Sequence, residues 1–171
     1  PWSWNFSLTN GSGYYQFYTI AIDNALNIEA PPGICDTHCG YDHTTPTTTV
    51  NHLPTYWTTS TPVTLTATAS DDVSGLRNVT LYSRYSMDNH TWDGWVNIGS
   101  CASPPWSWSI PFSNNTGYYQ VYTIGVDNAT NTETAPSTAD IAVGYDHTAP
   151  SSAVTTITPY WRTSASPLTI S

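Results

Sequence analysis

The sequence predicts an all-β chain made of sandwich domains in tandem, and three observations carry that expectation. Apolar residues recur with period two and nowhere with helical spacing, as in Trp2, Trp4, Phe6 and Leu8 or in Val63, Leu65, Ala67 and Ala69. Clusters of Gly, Pro, Asn, Asp and Ser punctuate these runs. The third observation is an internal repeat: GYYQFYTIAIDNALN at Gly13–Asn27 returns as GYYQVYTIGVDNATN at Gly117–Asn131, an offset of 104 residues. At the same offset PWSW recurs at Pro1 and Pro105, GYDHT recurs at Gly40 and Gly144, and Tyr56-Trp57 meets Tyr160-Trp161. Pro46 meets Pro150 and, one inserted residue later, PVTLT from Pro62 meets PLTIS from Pro167. A period of about 100 residues is the size of a whole domain rather than of a solenoid rung.

Taken in order, the alternation of Trp2, Trp4, Phe6 and Leu8 with polar residues reads as a strand, as does its counterpart Trp106, Trp108, Ile110 and Phe112. The turns TNGSG and SNNTG follow, with Gly providing the positive φ that a hairpin connection often needs. The repeated strand then runs through Tyr18 or Tyr122 to the turn DNALN or DNATN, and a last strand leads to GYDHT. After a Thr- and Pro-rich junction at Thr45–Thr49 a short strand is expected near Val50, then a half-buried one with a Thr face through Val63–Ala69. Asp71–Gly75 turns the chain into a strand through Val79, Leu81 and Tyr85, and another is expected near Trp95–Ile98. About seven strands in roughly 100 residues make a sandwich of the immunoglobulin or fibronectin type III kind. The expected boundaries are 1–44 for the end of one unit, 45–147 for a complete unit and 148–171 for the start of the next, within a longer protein.

These residues also carry a resemblance. DDVSGLRNVTLYSRYSMD, then the G-Y-x-x-Y-T-I-x-V-D-N-A-x-N strand and turn, then YDHTAP, resemble the immunoglobulin-like tandem repeats of bacterial and archaeal cell-surface proteins. The resemblance spans the whole chain and implies an extracellular, cell-surface protein of the stalk, layer, filament or adhesin type, with neighbouring repeats or copies as partners. Both turns depart from the family's pattern, with Leu26 and Thr130 where Gly is usual.

Composition narrows the function. The chain has three Arg, no Lys and twelve acids, for a net charge of −9, so it lacks the basic footprint that nucleic acid requires. Ser and Thr make up about 28% and aromatics 13%, so the chain folds yet solvates its surface with hydroxyls instead of charges. No apolar run approaches a membrane span.

The chemistry-bearing residues weigh against an enzyme and give no cofactor. Asp42-His43 and Asp146-His147 recur in the junctions, without a nucleophile motif. Asp71 and Asp72, or Asp127, Asn131 and Glu133, offer hard oxygen ligands but are equally ordinary turn residues, and no metal is expected. Cys35 and Cys39 are expected to be oxidised, to each other or with one joined to Cys101 of a neighbouring unit. Trp57, Trp92 and Trp95 offer flat faces for sugar rings, the alternative reading being a carbohydrate-binding appendage. Sequons begin at Asn5, Asn10, Asn78, Asn89, Asn114 and Asn128, and the equivalent pair Asn10 and Asn114, both in hairpin turns, are the foremost candidates for N-glycans. Finally, the strand from Gly117 is apolar on both faces. Tyr118, Tyr122, Ile124 and Val126 are therefore expected to be covered by a neighbouring domain or a second copy, as an assembly interface.

Overall fold

A computed structural model describes residues 2–114, 116–158, 161, 163–165 and 170. It is all-β, with no helix among the described residues. Ten strands run in chain order. The first two are β1 (Gly13–Phe17) and β2 (Thr37–Tyr41), followed by β3 (Thr47–Val50), β4 (Trp57–Thr58), β5 (Val63–Ser70) and β6 (Leu76–Ser86). The last four are β7 (Val96–Cys101), β8 (Ser107–Ile110), β9 (Gly117–Asp127) and β10 (Ile141–Tyr145). A five-stranded sheet of order β4-β10-β9-β6-β7 packs against a three-stranded sheet β3-β5-β8, while β1 and β2 form a separate antiparallel pair.

The period-two pattern explains this sandwich. On β5, Val63 and Leu65 are buried while Thr64, Thr66 and Thr68 are exposed. On β6 and β9 the pairs Leu81–Thr123, Ser83–Val121 and Tyr85–Tyr119 face inward. Val79, Leu81, Val121 and Val143 from the larger sheet meet Leu65, Trp106, Trp108 and Ile110 of the smaller sheet and its approach. Each fully buried aliphatic side chain of this kind stabilises the fold by about 1.5–3 kcal/mol. The 11-residue β9 is central, paired with β10 along its first half and with β6 throughout.

Two glycines permit close approaches. A Cβ on Gly125 of β9 would stand 2.8 Å from Thr48 Cγ2 and 3.1 Å from Pro46 Cγ, so Gly here lets β3 cross β9. A Cβ on Gly144 would lie 2.3 Å from the Trp57 ring, which covers that position as β4 pairs in parallel with β10.

The strand expected at Trp2–Leu8 is not formed. Trp2 is 91% and Trp4 72% exposed, whereas the counterparts Trp106 and Trp108 are each 8% exposed. Ser107–Ile110 is a strand because β5 pairs with it, and Trp2–Leu8 has no such neighbour among the described residues. For the same reason β1 ends at Phe17 while β9 continues to Asp127 beside β6. Tyr160 and, of PLTIS, Pro167, Leu168, Thr169 and Ser171 lie outside the described residues.

Candidate functional site

Where β10 stops pairing with β9, two carboxylates take over as hydrogen-bond acceptors. Asp140 Oδ2 accepts the backbone N–H of Thr123 at 3.1 Å and of Val50 at 2.9 Å. Glu133 accepts the N–H of Gly125 at 2.9 Å and of Thr48 at 2.8 Å, and the Thr48 hydroxyl at 2.6 Å. Each acid therefore joins β9 of one sheet to β3 of the other, and satisfies donors that no strand reaches. The first copy keeps half of this arrangement: Asp36 accepts Thr19 N–H at 2.9 Å and Glu29 accepts Ala21 N–H at 3.0 Å.

The turn after each organising strand also repeats. Asp127, fully buried, accepts Asn131 N–H at 2.8 Å and its Nδ2 at 2.7 Å, and Asp23 holds Asn27 in the same way. Hydrogen bonds from Asn27 hold the Asp23 carboxyl below its ordinary range. Leu26 and Thr130 stand at φ of 70° and 76°, the left-handed conformation for which Gly is the ordinary residue.

That turn meets the preceding GYDHT segment at a junction. Asp42 Oδ2 accepts Ser74 N–H at 3.0 Å, its backbone oxygen accepts Asn131 Nδ2 at 3.1 Å, and Asn128 Nδ2 donates to the Ser74 carbonyl at 2.8 Å. The bonds from Ser74, then those from Thr44, hold the Asp42 carboxyl well below the carboxylate range. Asp42, Asp71 and Asp72 bring ligand oxygens within 4.8 Å of one another, the hard donor set a divalent cation takes. Asp71 Oδ2 accepts Gly75 N–H, while its Oδ1 is buried without a hydrogen-bond partner. Asp127 and Glu133, considered above with Asn131 as cation ligands, are instead engaged in the turn and the sheet clamp.

Ser12 Oγ lies 2.6 Å from His43 Nδ1 and 3.4 Å from Asp42 Oδ1, and Thr116 stands in the same relation to His147 and Asp146. In both copies the acid binds the hydroxyl rather than the imidazole, so it does not orient the ring as a catalytic acid does. The imidazoles stack instead on Tyr41 and Tyr145, each at 5.5 Å.

The outer face of β9 corrects the expected assembly interface. Tyr122 is 6% exposed, but its cover comes from the same unit: Tyr82 stacks on it at 5.2 Å and Trp95 meets it edge-on at 4.3 Å. Trp57 covers Tyr118 at 5.5 Å, and Ile124 and Val126 are half-buried opposite Thr80 and Asn78. The chain itself thus shields much of this face. The cover was missed because it arises from β6 and the β6–β7 connection. There Arg84 places its guanidinium 5.0 Å from Trp92 and 4.5 Å from Trp95 while donating to Gln120.

No disulfide joins Cys35, Cys39 and Cys101 within this chain, so the expected Cys35–Cys39 bond is not formed here, while the expected alternative, a bond from one of the two to Cys101 of a neighbouring unit, stays a proposal. Extension of β2 from Thr37 carries Cys39 away from Cys35, and Cys101 donates to the Ser107 carbonyl. Among the sequons, Asn5, Asn10, Asn89, Asn114 and Asn128 are exposed, while Asn78 is half-buried on β6. No helix among the described residues is long and apolar enough to cross a membrane. No family model matches the chain, and no match is found among curated proteins.

Proposed function

We propose that this chain is a run of immunoglobulin-like units from an extracellular structural protein, a surface stalk, layer or filament. In this reading 1–44 ends one unit, 45–147 is a whole unit and 148–171 begins another. The carrying observation is the recurrence, 104 residues apart, of one set of contacts: the acid-capped strand, the Asp–Asn turn and the hydroxyl–His–Asp knot. Strand order supports the fold assignment, since β3-β5-β8 facing β10-β9-β6 with β7 added beside β6 matches the A-B-E and G-F-C arrangement of such sandwiches. The bonds of Asp42 to Ser74 and Asn131 couple one unit to the next and favour a load-bearing array over loosely tethered modules. N-glycans on Asn10 and Asn114 suit a surface with no Lys and with exposed asparagines at both hairpin tips.

The alternative, an adhesin or carbohydrate-binding appendage, is favoured by one feature: Trp57, 51% exposed, lies beside Tyr118 on the same sheet face as Tyr82 and Trp95. Antibody binding to intact source cells, with glycopeptide mass spectrometry of the native chain, tests the proposal. Surface staining and sugar on Asn10 and Asn114 are expected. A cytosolic chain with both residues unmodified contradicts it.

A further inference from the structure

The longest edge of the sandwich lacks the usual protection. β7 ends the five-stranded sheet, and its sequence VNIGSC has neither a charge nor a Pro to discourage a second strand from pairing with it. Val96 and Ile98 on this strand are 59% and 37% exposed. The opposite edge needs less, since β4 is two residues long and its Trp57 ring lies over Gly144. Between β7 and the segment that leaves β8 runs a cleft of about 260 Å³, whose lining includes Arg84, Asp93, Val96, Ile98, Pro111 and Asn114. Every lining residue falls within 83–119, so the central unit builds the cleft by itself. A following unit does not cover this corner: Asn10, in the equivalent turn of the first copy, stays exposed although residues 45–147 follow it.

Asn114 points to what occupies the cleft. It begins a sequon with Thr116, it is exposed, and it lines the cleft itself. A sugar joined to its side chain is held beside the cleft at a high effective concentration, so that weak contacts suffice to seat it. The lining also fits a sugar ring, which has an apolar C–H face and a rim of hydroxyls. Val96, Ile98 and Pro111 suit the face, while the Arg84 guanidinium and the exposed Asp93 carboxylate suit the rim. Gly94, also in the lining, has no atom within 4 Å of where a Cβ would stand, so this wall is open.

We infer that the first sugar of an N-glycan on Asn114 lies in this cleft, its C–H face on Val96 and Ile98, and shields the free edge of β7. This rests on the reading of Asn114 as glycosylated. The bond forms between Asn114 Nδ2, which loses one proton, and C1 of the sugar, which leaves its lipid-phosphate carrier. The glycan then takes the place that edge charges hold in other sandwiches, in a chain with no Lys to put there.

The test takes the full chain from source cells, maps its glycopeptides by mass spectrometry and records methyl NMR spectra on the same preparation. Overhauser contacts are expected between ring protons of the first sugar and the methyls of Val96 and Ile98, and none in Asn114→Gln. Val96→Thr with Ile98→Thr keeps the strand preference and alters only side chains that are already exposed. In the glycosylated chain this pair should speed hydrogen exchange of the β7 amides at least about threefold more than in the Asn114→Gln background. A sugar on Asn114 without the contacts, or an equal response in both backgrounds, overturns the inference and leaves the glycosylation reading standing. An unmodified Asn114 overturns both. Contacts from these methyls to a second copy of the chain, with sedimentation that changes with concentration, also overturn it, since a protein strand then holds the edge.

Discussion

Leu26 and Thr130 show a cost that two residues bear in the same place. A left-handed conformation disfavours any side chain by roughly 1–2 kcal/mol, most of all a β-branched one. Thr130 holds it because Asp127 binds Asn131 through both backbone and side chain on the far side of the turn. Thr130→Gly is therefore expected to stabilise the chain by about 1 kcal/mol in urea unfolding, against a loss if the φ were ordinary. The clamp works in the opposite sense. Glu133→Ala leaves the N–H groups of Thr48 and Gly125 without their acceptor and should destabilise the sandwich by about 3 kcal/mol. The clamps were legible in principle, since of only twelve acids eight recur at the 104-residue offset, as in Glu29 and Glu133 or Asp36 and Asp140. Spacing alone does not say whether an acid binds a cation, ends a turn or caps a strand, and coordinates were needed to assign these to backbone N–H groups.

At the scale of elements, the alternating pattern located β3 and β5 to β10, because each has a neighbour to pair with. It failed at Trp2–Leu8, where the pattern is as good as at Trp106–Phe112 but no β5 stands alongside. A strand is a property of the sheet, and periodicity reports only which face a strand would bury. The outer face of β9 failed for a related reason: Tyr122 is apolar on the solvent side because Tyr82, Trp95 and Arg84 of the same unit build a second, smaller aromatic layer. The edge strand β4 depends on one notch. Gly144→Ala would push the Trp57 ring off β10 and should destabilise by about 1–3 kcal/mol.

The junction between elements should respond to acid. Hydrogen bonds from Ser74 and Thr44 depress the folded carboxyl of Asp42, so the unfolded form takes up its proton first, near the ordinary value of about 3.9. The contribution is thus present above that pH and is lost as pH falls further, through the folded value. The Ser74 amide resonance should titrate with a midpoint below about 3.9. A midpoint at or above it contradicts the bond.

At the scale of the molecule, the repeat was the most informative line of the sequence, because it proposed a unit before any strand was assigned. Its chemistry was less legible: hydroxyls, glycine-poor turns and scattered acids describe a surface, and the use of that surface depends on what stands beside it. The central claim is that residues 45–147 are one complete mechanical unit between partial ones. Single-molecule extension of the full chain tests this most directly. Unfolding one such unit should add, in one event, about 34–37 nm of contour length at roughly 3.3–3.6 Å per residue. Release in several smaller steps, or in one step of about 55–60 nm that engages the whole chain, would contradict it.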